Sequence, residues 1–144
     1  MAGLSEAEEI SDIAFGYMGS KALFAALEFG GFTALAEGAL GNDELAAAVG
    51  LPPGRCRTLM TALTALGLTV ADGQGRYANS DAAQAFLVRG AKYDFGDYLR
   101  LQVGRQMYRL MDQIEPALAG RLPEGATGSY ADWFADPAEA RLYS

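Results

Sequence analysis

Four places in this chain carry side chains that could do chemistry: Lys21 and Glu28 in an apolar stretch, the lone Cys56, and the run Gly73-Gln74-Gly75-Arg76. A thiolate can act as a nucleophile, a charged pair can serve a pocket, and a Gly-rich turn can cradle a phosphate. Each has a plainer account. Cys56 shares helical spacing with Leu59, Met60 and Leu63, which marks the buried side of a helix, where a thiol is inert packing. Lys21 and Glu28 suit solvated or paired surface positions. The Gly73–Arg76 run lacks the following helix of a phosphate loop, so a hairpin turn explains it. Histidine is absent, which removes the commonest general base and metal ligand. No Ser-His-Asp or Cys-His set can be assembled, one cysteine makes no metal cluster, and no GxGxxG or P-loop occurs. The expectation is no catalytic, cofactor-binding or metal-ligating residue in this chain, which by itself is not expected to catalyse.

The chain does offer aromatic and methionine side chains. Phe15, Tyr17, Met18 and Phe24 lie in one apolar stretch, Tyr98, Met107, Tyr108 and Met111 in another, and Trp133, Phe134 and Tyr143 near the end. As a group they can line a pocket for a flat, apolar ligand, with Met adapting its shape. Taken singly, each is explained by core or dimer packing.

Two long helices must position them. The first spans about residues 5–29. Ser5 with Glu8 has capping-box spacing, and from Ile10 to Phe29 apolar residues fall nearly all round the helix, so it must be covered on more than one side. Gly16, Gly19 and Ser20 share one side and would let another backbone come close. Gly30-Gly31 breaks this helix, and Phe32 to Glu37 makes a short one closed by Gly38. The second long helix begins at Asp94 or Asp97 and runs to about Leu118. Leu99, Val103, Leu110 and Ile114 form one seam, with Phe95, Tyr98, Leu101 and Tyr108 partly outside it. In a chain that is 51% hydrophobic, two such helices predict a homodimer of interlocked helices. A single-chain core with exposed aromatics is the alternative.

Between them, residues 42–79 read as helix, turn, helix and a short two-stranded hairpin. Asn42 or Asp43 caps the first helix and Gly50 ends it; Pro52-Pro53-Gly54 turns the chain. The second helix carries Cys56, Leu59, Met60, Leu63 and Leu66 on one face. Gly67 stops it, and Leu68–Val70 and Arg76–Ala78 are the hairpin arms. Asn79-Ser80-Asp81 then caps a short helix over 82–88. The fold class is therefore mainly α, a winged helix-turn-helix with long dimerisation helices. The outward face of the second helix (Arg55, Arg57, Thr58, Thr61, Ala62, Thr64, Ala65) has no Asn, Gln or Lys to read bases. Residues 1–50 hold eight acids against Lys21, and residues 51–144 hold ten of each sign. DNA binding draws on a basic face for counterion release, so the balance favours a scaffold without a nucleic-acid partner. No run of 18 apolar residues and no basic leader occur, and one cysteine allows no internal disulfide; no membrane partner and a cytoplasmic location are expected. Residues 1–119 form one domain. Residues 120–144 are a linker and the start of a helix at Asp136-Pro137 that reaches only two turns, so a further domain is expected.

The stretches ISDIAFGYMGSKALFAALEFGGFTALAEG and DELAAAVGLPPGRCRTLMTALTALGL, the GRYANS wing and the closing SYADWFADPAEARLYS resemble the N-terminal dimerisation domain of S-adenosylmethionine-dependent O-methyltransferases. The nearest in character are bacterial enzymes acting on polyketide and other aromatic natural products; plant phenolic enzymes share the plan. The resemblance implies a winged-helix scaffold that forms an interlocked homodimer and caps the pocket of an aromatic small molecule. It implies S-adenosylmethionine for the full-length enzyme but not for this chain, which lacks a DVGGGTG-type loop and a catalytic His. By position, Phe15, Met18, Met107, Tyr108, Met111, Trp133 and Phe134 resemble the family's pocket-facing segments. The alternative function is a homodimeric winged-helix transcription regulator with a small-molecule effector pocket; an interaction module without an enzymatic partner is a third reading.

Overall fold

The computed structural model describes residues 2–121, so Trp133, Phe134 and the Asp136-Pro137 helix lie outside the described residues. Two compact units divide the chain, Met1–Gly96 and Asp97–Ser144.

The first unit opens with α1 (Ala7–Ala14) and α2 (Gly16–Phe29). The pattern predicts a single helix over 5–29, but Phe15 stands between the two with φ −97° and ψ 4°. Gly16, a weak helix former, follows it. The Phe15 N–H still reaches the Ser11 carbonyl at 2.9 Å and its own carbonyl accepts from Met18 at 3.0 Å, so the chain bends without orphaning its backbone. The cap also sits one residue beyond the expected Ser5–Glu8 pair: the Glu6 N–H donates to Glu9 Oε1 at 3.1 Å.

After α3 (Gly31–Ala34) and the two-residue β1 (Leu40–Gly41) come α4 (Asn42–Val49) and α5 (Pro53–Ala65), the expected helix-turn-helix. Gly41, not Asn42 or Asp43, is the N-cap of α4; Glu44 Oε1 accepts its N–H at 3.2 Å, and Asn42 Nδ2 instead donates to the Pro53 carbonyl at 2.8 Å. Gly50, at φ 73°, supplies the left-handed turn that ends α4. Cys56, Met60 and Leu63 of α5 are buried as their spacing predicts, but Leu59 is half-buried and Leu66 is 50% exposed. With Phe24, Leu27, Phe32, Leu35 and Leu45 they form the core; burying one such large side chain is worth about 1.5–3 kcal/mol.

The wing is β2 (Thr69–Ala71) and β3 (Arg76–Asn79), and β1 adds a third antiparallel strand in the order β1-β3-β2, with Leu40 opposite Tyr77 and Thr69 opposite Asn79. Asp72 builds the turn. Its Oδ1 accepts from the Gln74 and Arg76 N–H groups at 2.8 and 2.9 Å, and its Oδ2 from Arg76 Nε at 2.8 Å. These bonds, the backbone ones foremost, hold the Asp72 carboxyl below its ordinary pKa. Ser80 Oγ caps α6 (Asp81–Phe86) through the Ala83 N–H at 3.1 Å. Asn79 ties wing to core: its Nδ2 donates to the Phe32 carbonyl and to Gln84 Oε1, both at 2.8 Å.

In the second unit, the expected helix to Leu118 is present in four pieces. Wide π-type turns cover Tyr98–Met107, α turns Tyr108–Leu110, a 3₁₀ turn Met111–Gln113, and α turns Ile114–Leu118. Pro116 accounts for the last joint, because it has no N–H for the Asp112 carbonyl and its ring would clash there. The π turns displace the expected seam: with i→i+5 bonding, 3.6-residue spacing no longer stacks. Leu101, Gly104 and Gln106 are buried, whereas Leu99, Val103 and Leu110 are half-buried and Ile114 is 43% exposed. Among the described residues, no helix is long and apolar enough to cross a membrane.

Candidate functional site

The surface of the first unit is most unusual along Ile10, Ile13, Phe15, Tyr17 and Met18, which are all more than half exposed. Amphipathic α1 buries no residue at all. A run of large apolar side chains of this kind marks an interaction site rather than ordinary monomer surface.

Beside it, α2 and α5 enclose an open groove of about 680 Å³. Its α2 wall is Tyr17, Met18, Lys21, Ala22 and Ala25; its α5 wall is Arg55, Thr58, Leu59, Ala62, Ala65 and Leu66. Gly19 makes room for one of them: a Cβ there would stand 3.2 Å from Leu66 Cδ2. Within the single chain, Gly19 is approached by a side chain and Gly16 faces open space.

Four of the seven residues weighed above as a DNA-reading face, Arg55, Thr58, Ala62 and Ala65, line this groove. The threonines of that face are already engaged: Thr58 Oγ1 donates to the Gly54 carbonyl at 3.1 Å, Thr61 Oγ1 to the Arg57 carbonyl at 2.8 Å, and Thr64 Oγ1 pairs with Thr69 Oγ1 at 2.9 Å. Hydroxyls turned back onto their own helix leave little to offer a base edge.

Of the residues expected to face a pocket, Met18 lines the groove and Phe15 stands at the α1–α2 bend. Met107 and Met111 are exposed and Tyr108 is half-buried, all in the second unit. Lys21 lines the groove while Glu28, also exposed, does not. Cys56 is buried, and desolvation raises its thiol pKa, the opposite of what a thiolate nucleophile needs. Among the described residues no group of three or more His, Cys, Asp or Glu could hold a metal ion. The α5 wall of the groove was not expected from sequence; its signal was the small-residue spacing Ala62, Ala65 beside Leu66. A second cluster went unread as well: Phe86 stands 6.3 Å from Tyr93 and 6.2 Å from Phe95, ring centre to ring centre.

Residues 11–89 match the family model of the O-methyltransferase dimerisation domain. The chain belongs to this family. The match covers both α2 and α5 and the entire wing, and it sets the winged helix among methyltransferase scaffolds rather than transcription regulators. Curated relatives include the N,N-dimethyltransferase OxyT of Streptomyces rimosus, 34% identical over 146 residues (98% of this chain, 42% of that protein). The tetracenomycin polyketide synthesis 8-O-methyl transferase TcmO of Streptomyces glaucescens is 33% identical over 134 residues (92% and 39%). The chain thus spans about two fifths of these relatives' length. Human N-acetylserotonin methyltransferase, solved in complex with SAM, shares the fold at a TM-score of 0.84 and 23% identity, covering 99% of this chain and 45% of that one.

Proposed function

We propose that this chain is the homodimerising, substrate-capping part of an S-adenosylmethionine-dependent O-methyltransferase acting on an aromatic, polyketide-like molecule in the cytoplasm. The observation that carries the reading is the run of exposed apolar side chains from Ile10 to Met18 on a member of the dimerisation family. A helix that is amphipathic yet buries nothing in its own chain needs a partner surface. The polyketide-like character of the substrate is supported by the likeness to TcmO, its aromatic character by the likeness to the 3-hydroxy-5-methyl-1-naphthoate 3-O-methyltransferase of Streptomyces sahachiroi, and the cofactor by the SAM held in the human enzyme. Residues 1–119 constitute the dimerising module and 120–144 lead onward to a cofactor domain. Phe15, Met18, Met107, Tyr108, Met111, Trp133 and Phe134 face the substrate. This chain assigns no residue to catalysis or to the cofactor, and neither nucleic acid nor membrane is its partner. Light scattering at micromolar concentration should give a dimer mass; a monomer would refute the reading. Calorimetry with S-adenosylmethionine and a duplex DNA titration at low salt should both be flat.

A further inference from the structure

We propose that the cluster of Phe86, Tyr93 and Phe95 is a binding site for a free, flat aromatic anion, a carboxylate or phenolate. It is separate from the α2/α5 groove and from every side chain assigned above to the substrate, so it goes beyond the capping function and does not depend on it. With Lys92 and Asp94 the three rings line an open cleft of about 520 Å³, all of it within Met1–Gly96; small-molecule sites are commonly of this size. All three rings are exposed. Phe86 meets Phe95 edge to face, at 85° between ring planes, and is tilted by 48° to Tyr93, geometries that leave ring faces open to a flat guest. The loop is fixed before any guest arrives. The Phe95 N–H donates to the Phe86 carbonyl at 3.0 Å. Asp94 clamps the turn on both sides: its Oδ1 accepts the Gly96 N–H at 2.8 Å and its Oδ2 the Gly90 N–H at 3.3 Å. A Cβ at Gly96 would stand 3.0 Å from Asp94 Oδ1 and 3.2 Å from Leu27 Cδ2, so the clamp closes over glycine. A loop already ordered loses less entropy on binding.

Charge decides the class of guest. Aromatic rings grouped with a carboxylate ordinarily suit a cation, but here both attractions are already used. The two Asp94 oxygens accept backbone N–H groups, and the Lys92 ammonium stands over the Tyr93 ring, 5.3 Å from its centre. An incoming cation would meet Lys92 as a like charge. Residues 82–96 carry two bases, Arg89 and Lys92, against Asp94 alone, in a chain whose net charge is −7. The cleft is thus a locally basic, aromatic spot, and its complement is an anion with a π face. A second copy of this chain is the poorer guest, because a two-fold contact at this spot brings like cations together.

The test follows amide shifts of the isotope-labelled 144-residue chain by NMR during titration with three probes: 2-naphthoate, its trimethylammonium isostere and the neutral naphthylmethanol. Naphthoate should move the amides of Phe86 and of residues 92–96 and saturate with a Kd of about 1 mM, the affinity expected of a ligand of its size. It should bind at least about threefold tighter than either isostere. Lys92→Glu should weaken naphthoate at least about threefold and reverse the preference toward the cation. Tyr93→Ala should weaken every probe at least about fivefold through the lost stacking face. Both side chains are exposed, and should one variant fold poorly the other decides. Naphthoate shifts confined to residues outside 86–96, a cation bound as tightly as naphthoate, or a naphthoate Kd unchanged in the folded variant would each overturn the proposal.

Discussion

Replacing Ile10 and Ile13 together with serine should convert the proposed homodimer to a folded monomer. The two side chains are 63% and 71% exposed within one chain. Fully burying an isoleucine is worth about 1.5–3 kcal/mol, so about two thirds of that, roughly 1–2 kcal/mol, remains to be gained by each on association. A symmetric dimer contains four such side chains, giving a loss of about 4–8 kcal/mol. At 1.4 kcal/mol per tenfold, Kd should rise by about a thousandfold at the least. Sedimentation velocity over a concentration series reads the shift directly. Neither residue contributes to its own chain's core, because α1 buries nothing; the variant's circular dichroism should therefore match the parent's. Its Tm should also cease to depend on protein concentration, whereas the parent's should rise with it. A variant that stays dimeric with Kd within about tenfold of the parent's would refute the reasoning, since the exposed apolar run would then be surface without function.

Further predictions concern the scaffold. Asn79→Ala removes bonds to Phe32 and Gln84 but also a buried Oδ1 that has no partner, so the net loss of stability should be about 1 kcal/mol, read from the urea midpoint. Leu63→Ala empties a site in the core, where Leu63 is 1% exposed, and should cost about 3 kcal/mol by the same measurement. The folded pKa of Asp72 lies below the ordinary value of 3.8, so its contribution to stability is present above that value and lost as pH falls through the folded pKa. The melting-temperature gap between the parent and Asp72→Ala should accordingly close on acidification below 3.8, and a gap that widens instead would contradict the turn assignment. Cys56 should resist a thiol reagent at about pH 8 in the folded chain and react once urea unfolds it.

The parts of this fold that were legible in sequence are those fixed by short-range rules. Gly50 ends α4, Pro52-Pro53 opens α5, Ser80 caps α6, and Cys56, Met60 and Leu63 point inward because each follows from a local backbone or a helical period. What was not legible depends on contacts or on local breaks that periodicity ignores. β1 is two residues long and exists only because Leu40 meets Tyr77; no alternation can signal so short a strand. The bend at Phe15 leaves the apolar pattern of residues 10–29 unchanged. The π turns over Tyr98–Met107 change which residues share a face, so a seam counted at about 3.6 residues per turn lands on Ile114 and misses Gln106. The candidate site was half legible. Met18 was read as facing a substrate and stands in the α2 wall of the groove, whereas the α5 wall was hidden because four of its six residues also read as a candidate DNA-facing surface.

That double use explains how one helix-turn-helix can serve two trades. A reading helix must keep its outward side chains long, polar and free, and its surroundings basic. In α5 the outward positions beyond Arg55 and Arg57 are short, two of three threonine hydroxyls close onto carbonyls of their own helix, and the third is tied to Thr69. These features suit packing rather than base reading: Ala62 and Ala65 lower the wall, and Gly19 admits Leu66 from across the groove. Arg55 remains, and so tests the account. If it were a relic of phosphate binding, Arg55→Glu would leave self-association unaltered. If it belongs to the groove, the same substitution weakens association and does so less as salt is raised, because screening already weakens the parent's contact.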